Sequence, residues 1–315
     1  MTKIVADIGG TNMRIAQTDG INSIRDIKKY KVTDFASPVD TIKAYIQDSG
    51  CAQPTHVCMA IACPVAGDQI TMTNHSWSFS IEQSQKELGV QALYVINDFT
   101  AVALSVPFLA DEQKIQVGGE QPQLDKPIAV YGAGTGLGVA HVVPLADKWV
   151  PLPGEGGHVD FATNTEVEAK ILAFLADELG HVSAERIISG QGIANIYRAL
   201  AHINDADIKS LEPAEVTEKA LAGECDLCKQ ALDVFCDTLG SFGGNLALNL
   251  LTQGGVYIAG GIVPRFIDYV VQSGFRNRFD AKGRFEKLNK SIPVYIVTEE
   301  QPGLLGAAAY IAQNT

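Results

Sequence analysis

The stretch Ile4-Val5-Ala6-Asp7-Ile8-Gly9-Gly10-Thr11-Asn12-Met13-Arg14-Ile15-Ala16-Gln17 carries the strongest fold signal in the chain. Its two apolar runs flank a glycine turn, a pattern that predicts a β-hairpin. Ile128–His141 aligns with it without gaps and repeats the order of strand, glycine turn and strand. The identical pairs are Ile4 with Ile128, Gly10 with Gly134, Thr11 with Thr135 and Ala16 with Ala140. A duplicated hairpin predicts a two-lobed protein in which each lobe contributes a glycine turn to a shared cleft.

The rest of the chain has the pattern of a mixed α/β protein. Apolar runs at 56–62, 92–96 and 256–259 predict strands. Helices are predicted at 166–179, opened by a Thr165-x-x-Glu168 capping box, and at 225–251, where Gly240, Gly243 and Gly244 permit close packing. We expect a small α/β domain of residues 1–108 plus 300–315 and a large α/β domain of residues 109–299. The last helix, from about Gly303, should return to the first lobe.

Composition limits the class of partner. The chain has 315 residues, of which 46% are hydrophobic and 19% charged, so it can bury a substantial core. A net charge of −12 repels polyanions, which argues against a nucleic-acid partner or an anionic membrane surface. We find no apolar run of membrane-spanning length and no secretory signal. We therefore expect a cytoplasmic protein without a membrane partner.

The six cysteines are expected to be free thiols, because disulfides are rare in cytoplasmic proteins. Cys225-Asp226-Leu227-Cys228 has metal-ligand spacing, but no second cysteine pair or nearby histidine completes a tetrahedral site. We interpret the motif as small residues at the start of an apolar helix and expect it to bind no metal.

Glycine turns of this kind can hold phosphate. In Gly9-Gly10-Thr11-Asn12 the backbone N–H groups can converge on an anion, and the Thr and Asn side chains add donors. Gly132-Ala133-Gly134-Thr135-Gly136-Leu137-Gly138 offers a second such turn. Neither is a Walker A loop, and each leads into a strand, unlike a Rossmann turn. A lone glycine turn is usually only a hairpin, but two matched turns plus Gly260-Gly261 at a strand-to-helix junction favour nucleotide binding.

Asp7 ends the first strand beside the predicted phosphate turn. Phosphate repels a carboxylate unless a cation intervenes, so this position indicates Mg²⁺, held directly or through water. The alternative is an aspartate that only caps the turn.

Polar residues that could serve an acceptor substrate lie elsewhere. Asn97-Asp98 follows a buried strand, where open α/β folds place ligands, and a carboxylate there can deprotonate an attacking hydroxyl. As a bare dipeptide, however, Asn-Asp is more often a turn. Glu155 and His158 lie among glycines and suit hydrogen bonds to a polyol, with a surface histidine or an incomplete metal site as alternatives. Glu185 is explained on sequence alone as a first-turn acid favoured by a helix dipole.

These residues resemble the bacterial glucokinases of the hexokinase, actin and heat-shock chaperone ATPase superfamily, and the resemblance covers nearly the whole chain. The matching stretches are 7–12, 61–64, 73–77, 96–102, 131–138, 152–161 and 260–266. The resemblance implies a two-lobed, actin-like and ribonuclease-H-like ATPase fold with a cleft between the lobes. It also implies phosphorylation of D-glucose to glucose 6-phosphate with ATP and Mg²⁺. One departure is Ser76, where the family would have Thr, a conservative change.

The resemblance also implies roles for individual residues. Asp98 would be the general base on the sugar's 6-hydroxyl, and Asn97, Glu155, His158 and Glu185 would bind the other hydroxyls. The nucleotide would contact Asp7, Ile8, Gly9, Gly10, Thr11, Asn12 and Met13 in the first turn, Gly132, Gly134, Thr135 and Gly136 in the second, and Gly260 and Gly261 near the adenosine. Family members form homodimers, which we expect here.

Two other classes of protein remain as alternatives. Kinases of the ROK family carry a cysteine-rich zinc motif after the sugar-binding Glu and His, and the region around Gly180–Glu185 has no cysteine. A ROK-type repressor would also need a DNA-binding domain, for which the N-terminal strand leaves no room. A non-kinase ATPase of the actin type would not need the acceptor residues Asn97, Asp98, Glu155 and His158.

Overall fold

The computed structural model describes residues 2–72, 75–207 and 209–315. Thr73 and Asn74, part of one stretch that carries the family resemblance, lie outside the described residues. The strands are β1 Lys3–Ile8, β2 Asn12–Thr18, β3 Ile24–Lys31, β4 His56–Ile61, β5 Gln69–Thr71, β6 Ser78–Ser80, β7 Ala92–Asn97, β8 Lys114–Gln116, β9 Ile128–Ala133, β10 Leu137–Leu145, β11 Lys148–Gly154, β12 Val256–Ala259 and β13 Val294–Val297. The helices are α1 Pro38–Ser49, α2 Ile81–Leu88, α3 Asp98–Ser105, α4 Glu166–Leu179, α5 Gly190–Ile203, α6 Pro213–Leu221, α7 Asp226–Asn249, α8 Ile267–Gln272, α9 Phe275–Asp280, α10 Glu286–Ser291 and α11 Pro302–Gln313.

The chain divides into two compact units. The first consists of the described residues up to Ala110, His141–Pro153 and Glu299–Thr315; the second consists of Asp111–Ala140 and Gly154–Thr298. The sequence prediction assigns residues 141–153 to the large domain, but in the structure they group with the first unit. There the Trp149 N–H donates to Gln313 Oε1 at 2.6 Å. Within the described residues, no helix is both long enough and apolar enough to cross a bilayer.

The first unit is built on a five-stranded sheet of order β3-β2-β1-β4-β7. The predicted hairpin is confirmed, since β1 pairs antiparallel with β2, while β1, β4 and β7 are parallel. The side chains of β1 alternate between two cores, which explains its continuous apolar sequence. Ile4 packs in the core that contains Ile42 of α1, whereas Val5 packs against Leu304 of α11. Asp7 therefore shares the face of the sheet on which α11 lies.

Helix α11 returns to this unit, as predicted, and packs on α3. Gly306 makes the close approach possible, because a Cβ there would collide with the backbone carbonyl of Ala101. Since α3 begins at Asp98, the position of this acidic residue depends on the packing of the last helix.

The second unit contains four neighbouring strands of one sheet, in the order β9-β12-β13-β8, together with the start of β10. The long helix α7 lies where it is predicted, and its glycines pack closely: a Cβ at Gly243 would lie 2.5 Å from Tyr131 Oη. The helix predicted at 166–179 is also confirmed, with the Thr165 side chain accepting the Glu168 N–H at 3.2 Å. The predicted capping box is wrong in one detail. The Glu168 carboxylate accepts from the Asn164 N–H and from Arg278, at 2.6 Å each, instead of closing back on Thr165.

Candidate active site

The carboxyl ends of three parallel strands meet at one edge of the first sheet. The register aligns Ile8 of β1 with Ile61 of β4, and Ile61 with Asn97 of β7. The Ala62 N–H donates to the Ile8 carbonyl at 3.0 Å, and Asn97 Nδ2 donates to the Cys63 carbonyl at 3.4 Å. The first glycine turn and the Asn97-Asp98 pair therefore lie at the same edge of the sheet.

Asp98 is the first residue of α3, and one of its carboxylate oxygens is fixed. Oδ1 accepts from the Phe99 N–H at 2.8 Å and from Asn97 Nδ2 at 3.0 Å. Burial raises the pKa of Asp98 to about 6; the Phe99 N–H opposes this rise, and the neighbouring Asp7 carboxylate adds to it. Within the described residues, Oδ2 has no hydrogen-bond donor. One oxygen is anchored, and the other can accept a proton from a ligand.

Asn97 has a structural role that the sequence prediction missed. It caps α3, because its Oδ1 accepts from the Thr100 N–H at 3.0 Å and from the Thr100 hydroxyl at 3.3 Å. Its amide nitrogen points to Asp98 and Cys63. Asn97 thus fixes both the start of the helix and the orientation of the Asp98 carboxylate. An Asn before a helix is a common capping signal that could have indicated this role.

If Asp98 is the general base that the family resemblance implies, its raised pKa predicts a pH dependence of catalysis. A general base acts only when it is ionised, so kcat/KM should be half-maximal near pH 6 and fall about tenfold for each pH unit below that. A profile of kcat/KM between about pH 5 and 8, at saturating ATP, measures it. A rate that stays constant through the acid half of this range would contradict the assignment of Asp98 as the base.

Asp7 is held between a cation and a helix. Arg14 faces it across the hairpin, with Nη1 3.4 Å from Asp7 Oδ2. On its other side the first turn of α11 is so close that a Cβ at Gly303 would lie 3.0 Å from Asp7 Cγ. Burial raises the pKa of Asp7, and Arg14 partly offsets the rise. Sequence reasoning missed Arg14, although a two-residue turn at Gly10-Thr11 places Asp7 opposite it.

Two backbone N–H groups of the first glycine turn are left for a ligand. The Gly9 N–H donates to the Asn12 carbonyl at 2.9 Å, whereas the N–H groups of Gly10 and Thr11 have no acceptor among the described residues. Ile8 and Met13, which flank the turn, are fully buried in the core. A ligand at this turn can therefore meet only the backbone of Ile8 and Met13.

The second glycine turn belongs to the second unit and is supported from two sides. The Gly190 N–H, at the start of α5, donates to the Gly134 carbonyl at 2.9 Å. The Leu137 N–H donates to Glu185 Oε2 at 2.8 Å. A Cβ at Gly136 would displace the Glu185 carboxylate from this position. Thr135 at the tip of the turn is exposed.

Glu185 lies in the first turn of a short 3-10 helix rather than of an α-helix. It lies in a single 3-10 turn, Ala184–Arg186, and the next α-helix begins only at Gly190. Its carboxylate is fixed instead by the Leu137 N–H, and its second oxygen has no donor among the described residues. The dipole explanation is therefore wrong, and Glu185 is a carboxylate oriented beside the second glycine turn.

Two glycines let the ends of β9 and β12 approach each other. A Cβ at Gly132 would collide with the Ala259 carbonyl, and one at Gly260 would lie 2.6 Å from the Ala133 carbonyl. Gly260 also has a φ of 91°, which favours glycine. Gly261 is exposed with open space around it.

Glu155 and His158 lie in an exposed loop of the second unit. His158 ends the 3-10 turn Gly156–His158, and its Nε2 is 4.0 Å from Glu155 Oε2. Gly157 anchors the loop, because it packs directly on the Leu137 backbone where no Cβ would fit. Within the described parts of the chain, no three His, Cys, Asp or Glu residues are grouped to hold a metal ion. Both side chains are exposed, so a polar ligand could reach them.

Comparison with known proteins identifies the family. The model of the glucokinase family matches residues 4–314. A glucokinase from Yersinia enterocolitica is 53% identical over 313 residues, covering 99% of this chain and 96% of that protein. The chain belongs to the glucokinase family. The crystal structure of a glucokinase from an Antarctic psychrotroph superposes with a TM-score of 0.93 at 37% identity, covering 100% of this chain and 99% of that one.

This family assignment confirms the predicted fold class, the actin-like ATPase fold, and the predicted activity class, an ATP-dependent sugar kinase that acts on glucose. A ROK family glucokinase from Streptomyces griseus, solved in complex with glucose and AMPPNP, has a TM-score of 0.66 at 18% identity and covers 100% of both chains. At that identity the likeness shows the fold alone. The ROK alternative is therefore not favoured over the glucokinase family.

Proposed function

We propose that this glucokinase-family enzyme transfers the γ-phosphoryl group of ATP to the 6-hydroxyl of D-glucose, with Asp98 as the general base. The observation that carries the proposal is the Asp98 carboxylate, with Oδ1 anchored by Phe99 and Asn97 and Oδ2 left for a ligand. Its pKa of about 6 keeps it largely ionised at neutral pH and still basic enough to take a proton.

The reaction then needs little covalent chemistry from the protein. Asp98 accepts the hydroxyl proton as the sugar oxygen bonds to the γ-phosphorus, the bond from phosphorus to the β-γ bridging oxygen breaks, and ADP leaves. The proton on Asp98 is released to solvent after the phosphorylated sugar departs. Positioning of the hydroxyl against the phosphate supplies most of the rate enhancement in reactions of this class.

Asn97, Glu155, His158 and Glu185 are proposed to bind the other sugar hydroxyls. Glu155 and His158 are exposed, and Glu185 keeps one carboxylate oxygen without a donor among the described residues. Carboxylates accept hydrogen bonds from hydroxyls, and such charge-assisted bonds are stronger than neutral ones. Asn97 contributes mainly by holding Asp98, because its side chain already caps α3.

The nucleotide is proposed to bind the two glycine turns. The N–H groups of Gly10 and Thr11, and the exposed Thr135, are donors of the kind that anions require. Gly9, Asn12, Gly134 and Gly136 shape these turns, and Gly260 and Gly261 are proposed to approach the adenosine. The complex of the Streptomyces griseus ROK family glucokinase with AMPPNP supports an ATP-type nucleotide in this fold.

Asp7 is proposed to bind Mg²⁺ through water. The Asp7 carboxylate is partly exposed beside α11 and only weakly paired with Arg14, so it fits a neighbouring cation. Among the described residues, no group of three His, Cys, Asp or Glu side chains that could hold a metal ion includes Asp7. This fits an ion that is held mainly by the phosphates of the nucleotide. The ion would neutralise charge on the phosphates.

Gly303→Ala should specifically disturb Asp7. The new methyl group would lie 3.0 Å from Asp7 Cγ and 3.2 Å from Oδ1, so the carboxyl group must shift to accommodate it. We expect KM for MgATP to rise by about tenfold, since one charge-assisted contact is weakened, with kcat for a folded protein reduced less. Titration of ATP at several Mg²⁺ concentrations measures this effect.

Gly20→Ala is the matched control, since its nearest contact would be an ordinary 3.9 Å from Ser23 Oγ. It should leave both constants unchanged. If Gly303→Ala folds and keeps the wild-type KM for MgATP, the role of Asp7 is wrong.

We further propose that the enzyme is a cytoplasmic homodimer with no nucleic-acid partner. The dimer rests on the family resemblance, and the exclusion of nucleic acid rests on the net charge of −12. Sedimentation velocity over a range of protein concentrations tests the dimer; a monomer at all of them would refute it.

The test of the proposed function is ADP release from ATP with and without hexose. A glucokinase releases ADP only when glucose is present, with stoichiometric glucose 6-phosphate. Equal ADP release without sugar would favour the non-kinase ATPase alternative, and a preference for another hexose would change the substrate.

A further inference from the structure

Two cysteine sulfurs lie side by side at the start of α7. Cys225 is the N-cap residue, with extended backbone (φ −149°, ψ 109°), and its Sγ accepts the Cys228 N–H at 3.2 Å. Burial raises the pKa of the Cys228 thiol to about 12, and the neighbouring Cys225 adds to the rise. Cys225 is half-buried and Cys228 is fully buried. The outer thiol can therefore be reached from solvent, and the inner thiol lies directly behind it.

The surroundings distinguish the two sulfurs chemically. The Cys225 sulfur accepts the Cys228 N–H at the start of a 24-residue helix. Lys219 of α6 faces the pair and has Glu224 as its ion-pair partner at 3.8 Å. Asp226, the next residue, is the acidic neighbour in the first turn of α7. Tyr197 of α5 interacts electrostatically with both Cys228 and Cys225. The half-buried Cys225 is thus the attacking thiol, and Cys228 is the resolving thiol.

We propose that Cys225 and Cys228 form a reversible dithiol–disulfide site that reacts with small-molecule disulfides of the glutathione type. The Cys225 thiolate attacks one sulfur of the reagent, whose S–S bond breaks and releases one thiolate. The Cys228 thiolate then attacks the Cys225 sulfur of the mixed disulfide, forming the Cys225–Cys228 bond and releasing the second thiolate. The two protein protons end on the two released thiols, so the protein is oxidised by two electrons and the reagent is reduced.

The other cysteines lack this arrangement. Cys58 and Cys236 are fully buried, and burial raises the pKa of each thiol. Cys236 lies further along the same helix. Because it is buried, it serves as a control for a thiol of α7 that the reagent does not reach. This proposal is independent of the sugar kinase reaction, because it depends only on the two sulfurs and their neighbours.

Peptide mapping of the intact protein tests the proposal. Trypsin releases residues 220–229 as one peptide that contains Cys225 and Cys228 and no other cysteine. The native protein is equilibrated in mixtures of oxidised and reduced glutathione, quenched with acid, denatured, alkylated with iodoacetamide and digested. We expect the doubly alkylated peptide to be replaced, as the mixture becomes more oxidising, by an unalkylated peptide lighter by two hydrogens. Dithiothreitol should reverse the change.

Variants separate the two steps. Cys228→Ser should accumulate glutathione on Cys225, since the resolving thiol is missing, whereas Cys236→Ser should behave as wild type. Wild-type protein that stays doubly alkylated in oxidised glutathione would overturn the proposal. So would wild-type protein that stops at a glutathione adduct on Cys225. Neither outcome depends on whether the variants fold.

Discussion

Asp98→Asn should lower kcat by about 10²–10⁴-fold, the usual cost of losing a general base. The substitution preserves the shape of the side chain, and the new amide oxygen can still accept the Phe99 N–H that anchors Oδ1. What it removes is the ability to take the hydroxyl proton. Saturating glucose and ATP isolate the effect on kcat from any effect on binding. Near-wild-type turnover in a folded variant would refute the assignment.

The same variant should be at least as stable as the wild type. Folding raises the pKa of Asp98 from 3.8 to about 6, so between these values the folded protein holds a proton that the unfolded chain releases. The free energy of unfolding therefore falls as pH rises through this window, and the ionised carboxylate costs up to about 3 kcal/mol at neutral pH. Asparagine carries no such charge. Thermal unfolding of wild type and variant at neutral pH should give an equal or higher Tm for the variant.

Asp147→Asn is the matched control for both measurements. Asp147 is exposed in the turn between β10 and β11, and its removal should change neither kcat nor Tm. A large loss of Tm in Asp98→Asn would mean that its low activity reports unfolding rather than chemistry.

Hexoses that lack or misplace one hydroxyl should lose roughly ten- to several-hundred-fold in kcat/KM. A site group left without its hydroxyl costs on the order of 1–3 kcal/mol if uncharged and more if it is a carboxylate. The larger penalties should therefore belong to the hydroxyls that Glu155 and Glu185 are proposed to bind. N-acetylglucosamine should be worse than 2-deoxyglucose, because its added bulk must fit where Glu185 and His158 are proposed to bind.

Measurement of kcat/KM for glucose, mannose, 2-deoxyglucose, fructose and N-acetylglucosamine under one set of conditions checks this prediction. A loss of activity in Glu185→Gln would be harder to interpret, because the Glu185 carboxylate also accepts the Leu137 N–H and so supports the second glycine turn. Glu155→Gln is easier to interpret, because Glu155 is exposed and, among the described residues, its one ion-pair partner is His158 at 4.0 Å. If fructose or N-acetylglucosamine equalled glucose, the site would be built for another substrate.

Much of the local structure follows from short sequence patterns. The hairpin around Gly9-Gly10, the helix that begins after Thr165 and the long helix α7 with its close-packed Gly243 were all predictable. Apolar alternation, capping residues and turn glycines act over a few residues, so their physical consequences are contained in those residues. The capping box shows the limit of this reasoning. The Glu168 carboxylate binds Arg278, which lies 110 residues away in the chain.

The sequence by itself determined the fold class, the two glycine turns and the acidic residue at the end of a buried strand. Only the tertiary structure decided the chemical state of these residues. It buried Asp98 enough to raise its pKa, placed Gly303 of α11 against Asp7, and tied Glu185 to the Leu137 N–H. The physical reason is that desolvation and long-range hydrogen bonds depend on which elements pack together. Local patterns specify the elements, but distant partners set the electrostatics of the site.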